Sequence, residues 1–319
     1  MKVLVTGANG FVGRALCKTL SDSGYEVVAA VRDDAVRYSI SSALQTVTVG
    51  EVGPKTDWSN ALQGCTAVVH LAARAHVMHD TVSDPLAIYR AINTEGTLAL
   101  ARRAVAAGVR RFVFVSSIKV QGEERETPYT EADQPDPVDA YAQSKWEAEQ
   151  GLWRIAQETG LELVVLRPPL IYGPGVKANF LRLMQWVAGG VPLPLGGVAN
   201  RRSLLYLGNF TDAIVHCLAQ ARAVGQTFLV CDGETISTKG LIEAIAKVMG
   251  RPARLLPVPV NLLRHIANWL GKKAEADRLL GSLALDCSKL RKELDWRPPF
   301  TFEQGMRETV DAFMEGRVV

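Results

Sequence analysis

Three polar residues in the middle of the chain have the types and the spacing that proton transfer requires. Tyr141 and Lys145 are four positions apart, so in a helix their side chains share one face. A tyrosine near its usual pKa of about 10 is a poor base at neutral pH, and an adjacent ammonium group favours the phenolate. Ser117 follows a short apolar run, and its hydroxyl could hydrogen-bond the same substrate oxygen. The three residues predict acid–base chemistry at a hydroxyl or a ketone, with a tyrosine pKa lowered towards about 7.

The elements that must position these residues begin at the N-terminus. Residues 2–5 form a short valine-rich run that predicts a buried parallel strand, and apolar residues at helical intervals begin after Gly13. The glycines between them let the backbone approach a pyrophosphate, while a helix N-terminus offers free N–H groups and a partial positive charge. This arrangement predicts dinucleotide binding, and the positive charge of an oxidised nicotinamide would add to that of Lys145 in favouring the Tyr141 phenolate. The candidate contacts are Gly7, Gly10, Phe11, Val12 and Gly13.

The end of the second strand, residues 25–31, distinguishes the two nicotinamide dinucleotides. An acidic residue at this position binds the adenosine ribose hydroxyls, whereas an arginine suits a 2′-phosphate. The sequence has Arg32, followed by Asp33 and Asp34. Arg32 favours NADP(H), and the two aspartates keep NAD(H) possible.

Strands and helices alternate through the first half of the chain. Strands are expected at residues 67–73 and 111–115, and helices at residues 89–108 and 140–159. Residues 122–140 are rich in prolines and acids and predict a loop, whose last acid could cap the following helix. This rhythm predicts an α/β fold with a parallel, doubly wound sheet.

Composition limits the class of protein. The chain has 319 residues, 48% of them hydrophobic, which predicts a large core and either two lobes or one enlarged α/β unit. A formal net charge of +3 gives no basic field of the kind that binds nucleic acid. The five cysteines show no CxxC or cysteine–histidine pairing, so we expect reduced thiols, no metal site and a cytoplasmic protein. We expect neither a signal peptide nor a membrane span, since no apolar run reaches about 18 residues.

In this order, the motifs resemble those of the extended short-chain dehydrogenase/reductases, specifically the nucleotide-sugar epimerase/dehydratase branch. The matching segments are residues 6–13, 70–73, 93–97, 116–117, 141–145 and 167–174, together with Arg202 ahead of Tyr206. The resemblance implies a Rossmann-type lobe at residues 1–166 that binds NAD(P). It implies a smaller mixed C-terminal lobe, mainly residues 167–319, that binds a UDP-sugar. Segments near residues 203–231 would return to the Rossmann lobe.

The resemblance also implies roles for individual residues. Tyr141 would be the acid and base, Lys145 would bind the nicotinamide ribose, and Ser117 would polarise the same oxygen while a hydride moves to or from C4 of the sugar. The further cofactor contacts would be Arg32, Leu71, Ala72, Ala73, Asn93, Tyr141, Lys145 and Pro168. The substrate contacts would be His76, Val77, Ser117, Lys119, Asn179, Arg202 and Arg278.

Departures from the family pattern favour one reaction over others. Ile118 and Lys119 stand where 4,6-dehydratases have an acidic pair, which argues against water elimination. Leu170 replaces an asparagine that is usual in epimerases. With Arg32, these residues favour an NADPH-dependent reductase of a UDP-4-keto-6-deoxy-N-acetylhexosamine, in the synthesis of surface polysaccharide such as lipopolysaccharide O-antigen. The alternatives are a UDP-glucose or UDP-N-acetylglucosamine 4-epimerase and a non-catalytic NADP-sensing module.

Two further expectations concern contacts with other molecules or with the second lobe. Family members often form homodimers, so a homodimer is possible here. Residues 255–271 are apolar and aromatic on one side. We expect this segment to be a helix of the C-terminal lobe that faces the sugar pocket, with a membrane-surface or partner helix as the alternative.

Overall fold

The computed structural model describes residues 1–33, 44–75 and 84–316. Through residue 167 the elements are β1 (Lys2–Thr6), α1 (Phe11–Asp22), β2 (Glu26–Val31), β3 (Gln45–Thr48), α2 (Ser59–Leu62), β4 (Ala67–His70), α3 (Pro85–Tyr89), a π-helix (Arg90–Glu95), α4 (Gly96–Ala106), β5 (Arg111–Val115), a 3₁₀ turn (Ile118–Val120), β6 (Arg125–Tyr129), α5 (Ala140–Thr159) and β7 (Glu162–Arg167). The later elements are β8 (Leu170–Tyr172), α6 (Ala178–Ala188), β9 (Arg202–Tyr206), α7 (Leu207–Ala219), a 3₁₀ turn (Ala221–Ala223), β10 (Gln226–Leu229), β11 (Thr235–Ile236), α8 (Thr238–Val248), α9 (Val260–Trp269), α10 (Lys273–Leu280), β12 (Leu283–Leu285), α11 (Ser288–Leu294) and α12 (Phe302–Met314).

The larger sheet has seven parallel strands in the order β10-β7-β5-β4-β1-β2-β3. The chain builds outward from β1 in one direction as far as β3 and then in the other direction from β4 to β10. The order therefore reverses between β1 and β4, and the crevice outside their carboxyl ends is where doubly wound folds bind ligands. The predicted α/β, Rossmann-type sheet is confirmed.

Successive residues of β1 serve two separate hydrophobic layers. Val3 and Val5 pack into one core cluster with Leu16 of α1, whereas Leu4 packs into the opposite cluster with Leu152 of α5. Neighbouring side chains of a strand point to opposite faces, so a short apolar run can anchor both layers. Because the sheet is covered on both sides, its carboxyl edge is held rigidly.

The smaller sheet is mixed. Strand β9 is antiparallel to β11 and parallel to β8 and β12, and β12 is parallel to β6. Its hydrophobic cluster includes Tyr172, Phe180, Ile245 and Val310. Strand β10 pairs with β7 at the edge of the larger sheet, so the chain crosses between the two sheets more than once. The proposed lobe boundary between residues 166 and 167 stays a prediction.

Two local expectations differ from the structure. The segment expected to be a loop at residues 122–140 contains β6, an edge strand of the smaller sheet in which Pro128 needs no ladder N–H. The single helix expected at residues 89–108 is instead α3, a π-helical turn over Arg90–Glu95, and α4. The extra residue of a π-turn shifts the apolar pattern by one position, and such turns concentrate at functional sites.

The cysteines also differ from expectation. Cys231, just after β10, forms a disulfide with Cys287, just before α11, with 6.1 Å between the Cα atoms. The prediction of five reduced thiols is wrong for this pair, because the fold brings together two segments that are 56 residues apart. Cys17, Cys65 and Cys217 are free and buried.

Membrane-spanning helices and metal clusters are both absent from the described ranges. No helix in residues 1–33, 44–75 or 84–316 is long and apolar enough to cross a membrane. In the same part of the chain, no group of histidine, cysteine and carboxylate side chains could hold a metal ion.

Candidate active site

The glycine loop between β1 and α1 packs so closely against neighbouring backbone that side chains are excluded at two of its positions. Gly7 has a φ of +66°, and a Cβ built there would lie 3.0 Å from the backbone nitrogen of Ala72. A Cβ on Gly13 would lie 2.1 Å from the carbonyl oxygen of Gly7. Helix α1 begins after Gly10, and no described side chain caps it, which leaves the first N–H groups of the helix available to a ligand. These residues fit the pyrophosphate of a dinucleotide.

The end of β4 is fixed to the end of β1 by one threonine hydroxyl. Thr6 Oγ1 accepts hydrogen bonds of 3.1 Å from both the Leu71 and Ala72 N–H groups, and it lies 2.7 Å from Nδ1 of His70. The other ring nitrogen of His70 lies 2.9 Å from Oγ1 of Thr97. This network holds Leu71 and Ala72, two predicted cofactor contacts, beside the glycine loop.

The imidazole of His70 is the uncharged link between the two hydroxyl groups of this network. Burial, followed by the charge of Lys145, lowers the pKa of His70 to about 3. The imidazole is therefore uncharged at neutral pH, and it is fully buried between two hydroxyl groups.

Asn93, in the π-helical turn, connects the β4 segment to α5. Its Oδ1 accepts a 2.8 Å hydrogen bond from the Arg74 N–H, and its Nδ2 donates to the Arg74 carbonyl oxygen at 3.1 Å and to Ser144 Oγ at 3.0 Å. Ser144 Oγ in turn donates to the Tyr141 carbonyl oxygen at 2.8 Å. The amide of Asn93, proposed from sequence as a cofactor contact, holds the two flanking segments in register.

Helix α5 presents Tyr141 and Lys145 on one face. The helix begins as predicted at residue 140, and Asp139 caps it by accepting a 2.7 Å hydrogen bond from the Ala142 N–H. The side chain of Ser117, two residues after β5, lies close enough to Tyr141 to act on the pKa of its phenol. Lys145 Nζ donates to the carbonyl oxygen of Val115 at 2.7 Å. The structure thus brings together the three residues that the sequence marks as catalytic.

The proton affinities at this site are set mainly by burial. Burial, supported by the charge of Asp139, raises the pKa of Tyr141 to about 12 against the opposing hydrogen bond from Ser117. Burial lowers the pKa of Lys145 to about 7, and only the charge of Glu149 opposes it. The lysine ammonium donates to a backbone carbonyl, and the chain's own groups do not lower the pKa of the tyrosine. The lowering expected beside an oxidised nicotinamide stays a prediction. The phenol is protonated at neutral pH.

A buried ion pair lies next to the 3₁₀ turn that follows Ser117. Arg167 Nε and Nη2 donate to the two carboxylate oxygens of Glu149 at 3.0 and 2.5 Å. Pro168, the next residue, accepts a 3.0 Å hydrogen bond from the Ile118 N–H. The predicted contact Pro168 is therefore adjacent to the turn that begins at Ser117.

Three of the predicted substrate contacts share one charged neighbourhood. Lys119 Nζ donates to Asp139 Oδ2 at 2.6 Å and also contacts Glu123. Burial raises the pKa of Asp139, but hydrogen bonds from Lys119 and Ala142 and the charge of Arg278 outweigh it and leave that pKa lowered. Arg202 is half-buried, and its guanidinium interacts with the charges of Glu124 and Glu123. Lys119, Arg202 and Arg278 are thus linked through shared acids.

The other residues predicted to bind substrate or cofactor are not part of this charged group. Asn179 is exposed in the first turn of α6. Arg32 is exposed directly after β2, at the carboxyl edge of the larger sheet. His76 and Val77 lie outside the described residues, as does Asp34.

Sequence reasoning missed several residues that hold the site together. Thr6 and His70 are part of the motifs quoted above, yet no role was given to their side chains. Glu149 is one turn beyond Lys145, at the spacing that places two helix residues on one face. That spacing was the available signal for Glu149, whereas nothing in the sequence indicates that the ring of His70 lies between Thr6 and Thr97.

The fold and the site together define an enzyme that uses a nicotinamide dinucleotide. The sequence pattern described as "NAD dependent epimerase/dehydratase family" matches residues 3–231. A protein from Vibrio cholerae named UDP-glucose 4-epimerase is 41% identical to this chain over 322 residues, which cover 98% of this chain and 95% of that protein. The chain belongs to the NAD-dependent epimerase/dehydratase family.

Two further similarities extend over nearly the whole chain. The N-acetyl-alpha-D-glucosaminyl-diphospho-ditrans,octacis-undecaprenol 4-epimerase of Escherichia coli O157:H7 is 26% identical and covers 97% of this chain and 94% of that protein. The crystal structure of Thermus thermophilus UDP-glucose 4-epimerase in complex with NAD matches with a TM-score of 0.79 at 26% identity, covering 98% of this chain and 99% of that one.

Proposed function

We propose that this protein is a ketoreductase that transfers a hydride from NADPH to C4 of a UDP-4-keto-6-deoxy-N-acetylhexosamine. The observation behind this choice is Arg32, which is exposed directly after β2, where an arginine suits the 2′-phosphate of NADPH. Burial also keeps the phenol of Tyr141 protonated, as a proton donor requires. A ketone that accepts a hydride needs a proton on its oxygen, so a general acid must be ready before the reaction. An enzyme that starts from an alcohol needs a base instead.

The chain's own residues supply binding and proton transfer. The glycine loop at Gly7, Gly10 and Gly13 and the first turn of α1 would hold the pyrophosphate of the cofactor. When bound, the nicotinamide supplies the hydride. Tyr141 donates its phenolic proton to the ketone oxygen, and Ser117 hydrogen-bonds the same oxygen. Lys145 holds a proton at Nζ with a pKa of about 7, one helical turn away, and so serves as a nearby proton source at neutral pH.

The preference for NADPH rests on Arg32. Its side chain is exposed at the end of β2, where the adenosine ribose of a dinucleotide lies in this class of fold. A guanidinium group forms charge-assisted hydrogen bonds with a phosphate, so it favours the 2′-phosphate of NADP(H). An exchangeable NADPH suits a reductase, because the cofactor must leave after each turnover.

The substrate lobe supports a nucleotide diphosphate. Lys119, Arg202 and Arg278 form the linked cationic group described above. The relatives named for a UDP-sugar and for a sugar diphosphate have ligands with a negatively charged diphosphate, which such a group would attract. We assign residues 1–166 to the dinucleotide lobe and mainly residues 167–319 to the sugar-nucleotide lobe.

The two residues after Ser117 do not suit a 4,6-dehydratase. Ile118 is buried and Lys119 is paired with two acids, so neither offers the carboxyl group that a 4,6-dehydratase would use.

A 4-epimerase is the second candidate, and the 41% identity to the Vibrio cholerae protein named UDP-glucose 4-epimerase favours it. In that reaction Tyr141 would first accept the proton of the C4 hydroxyl and then return it. Its raised pKa makes it a poor base in its resting state, unless a positively charged group lowers that pKa.

The test follows NADPH absorbance at 340 nm with a UDP-4-keto-6-deoxy-N-acetylhexosamine as substrate. Stoichiometric oxidation that is lost in Tyr141→Phe supports the reductase. No oxidation, together with conversion of UDP-glucose or UDP-N-acetylglucosamine to its C4 epimer, assigns the protein to the epimerases. NADPH binding without turnover of either substrate would leave a sensing module and contradict both enzymatic proposals.

A further inference from the structure

Helix α9 exposes an apolar stripe on the surface of the C-terminal lobe. Leu262, Ile266, Trp269 and Leu270 are 50, 46, 85 and 55% exposed. Their spacing of four, three and one residues places them on one side of the helix. Single exposed apolar residues are ordinary, but a contiguous group of four large side chains indicates a binding surface.

The opposite side of α9 packs against the C-terminal lobe, so the stripe points away from that hydrophobic cluster. Val260 and Leu263 pack against the hydrophobic cluster of the smaller lobe, and Ala267 is half-buried on the same side. The helix uses only this narrow packed side for the fold, so the four residues of the stripe are exposed. The expectation that this helix faces the sugar pocket stays a prediction.

The charge beside the stripe is mainly positive. Residues 251–278 contain six basic residues and two acidic ones. Arg264 is paired with Glu124 at 2.6 Å, whereas Lys272 and Lys273 are exposed directly beyond the apolar stripe. The surface therefore combines large apolar side chains with a net positive rim.

We propose that this surface docks the protein on an anionic phospholipid bilayer. The α9 surface consists of Leu262, Ile266, Trp269, Leu270, Lys272 and Lys273. A ten-residue amphipathic helix with leucine and tryptophan on one side and basic residues beside it lies in the interfacial plane of a membrane. Tryptophan favours the headgroup region, and lysine is attracted to anionic lipids. An uncharged apolar partner would leave the positive rim without a counterpart.

The docked helix would lie near the substrate residues. Arg264 donates to Glu124 from the edge of α9, and the charge of Glu124 also acts on Arg202. Binding of α9 to a bilayer would therefore bring the substrate-binding cations close to the membrane surface. This inference is independent of whether the enzyme is a reductase or an epimerase.

The experiment is sedimentation of the full-length protein with lipid vesicles. One vesicle type contains phosphatidylcholine alone, and the other also contains phosphatidylglycerol. We expect binding to the anionic vesicles that weakens as salt is added. Trp269→Ser combined with Ile266→Ser should reduce the partition coefficient at least tenfold. Replacing Lys272 and Lys273 by glutamine should weaken it about fivefold for each charge.

Met314→Ser is the matched control, because Met314 is an equally exposed apolar residue on a different helix. NADPH affinity and melting temperature show that each variant is folded. Failure of the wild-type protein to bind anionic vesicles at low salt would overturn the proposal, as would equal binding to both vesicle types. A dimer in size-exclusion chromatography that Trp269→Ser dissociates would assign the surface to a second copy of the chain and would also overturn it.

Discussion

The ammonium group of Lys145 donates a 2.7 Å hydrogen bond to the carbonyl oxygen of Val115, the last residue of β5. This bond ties helix α5 to the strand end from which Ser117 follows. Tyr141 lies one helical turn before the lysine, so the same bond holds the phenol against the serine. One sheet edge and one helix are thus fixed together at the point where we propose that the proton is transferred.

Removing the phenolic hydroxyl should abolish turnover and leave the cofactor site intact. We expect Tyr141→Phe to lower kcat by about 10²- to 10⁴-fold, the usual contribution of a positioned proton donor. The dissociation constant for NADPH, measured by fluorescence titration, should stay within about twofold. Tyr89→Phe is the matched control, because its ring packs edge-on 6.3 Å from that of Tyr141. Equal losses in both variants would contradict the assignment.

Lys145 should make the free energy of unfolding depend on pH. Its pKa is about 7 in the folded protein and about 10.5 in an unfolded chain, so between these values the unfolded state binds more protons. Stability from this group therefore rises with pH, by about 1.4 kcal/mol per pH unit.

Urea unfolding between about pH 7.5 and 9.5 measures this effect within the window set by the two pKa values. Lys145→Met should remove this part of the slope, while Lys18→Met, which removes an exposed lysine, should not. Identical slopes in the wild type and Lys145→Met would show that the lysine is not perturbed.

Arg32 should determine which dinucleotide binds. A lost charge-assisted hydrogen bond to phosphate costs about 1.5–3 kcal/mol, so Arg32→Ala should weaken NADPH binding about tenfold or more. NADH binding should change little, because that cofactor lacks the 2′-phosphate. Arg102→Ala, an exposed arginine on α4, is the control. A ratio of the two affinities that does not move would exclude a role for Arg32 in cofactor choice.

The Cys231–Cys287 disulfide should be detectable by counting thiols. In denaturant without reductant, a thiol reagent should titrate the three free cysteines, and all five after reduction. Replacing both Cys231 and Cys287 by serine should lower the free energy of unfolding by about 2–4 kcal/mol, since the bridge closes a long loop in the unfolded chain. Five reactive thiols before reduction would contradict the bond.

The sequence was most informative where local pattern and structure coincide. The glycine loop and the helix that begins at Ala140 each depend on residues that are adjacent in the sequence, so both were predictable. β6 was not predictable, because its partner β12 is more than a hundred residues away and a proline interrupts its pattern. A homodimer and a cytoplasmic location remain predictions.

The proton affinities could not be predicted from residue types. Spacing places Lys145 on the same face as Tyr141, but it does not show that the ammonium group donates to Val115 or that both groups are deeply buried. The direction of a pKa shift depends on the balance of burial and charge, which the three-dimensional structure supplies. For the same reason the sequence did not indicate that His70 is a buried neutral group.

The measurement that tests the central claim most directly is isotope transfer from NADPH that carries deuterium on the transferable position of the nicotinamide. The protein is incubated with this NADPH and a UDP-4-keto-6-deoxy-N-acetylhexosamine, and mass spectrometry measures the deuterium content of the product. We expect one deuterium at C4 of each product molecule and none with Tyr141→Phe. A UDP-sugar that acquires its C4 epimer without taking up deuterium from added NADPH would contradict the reductase assignment.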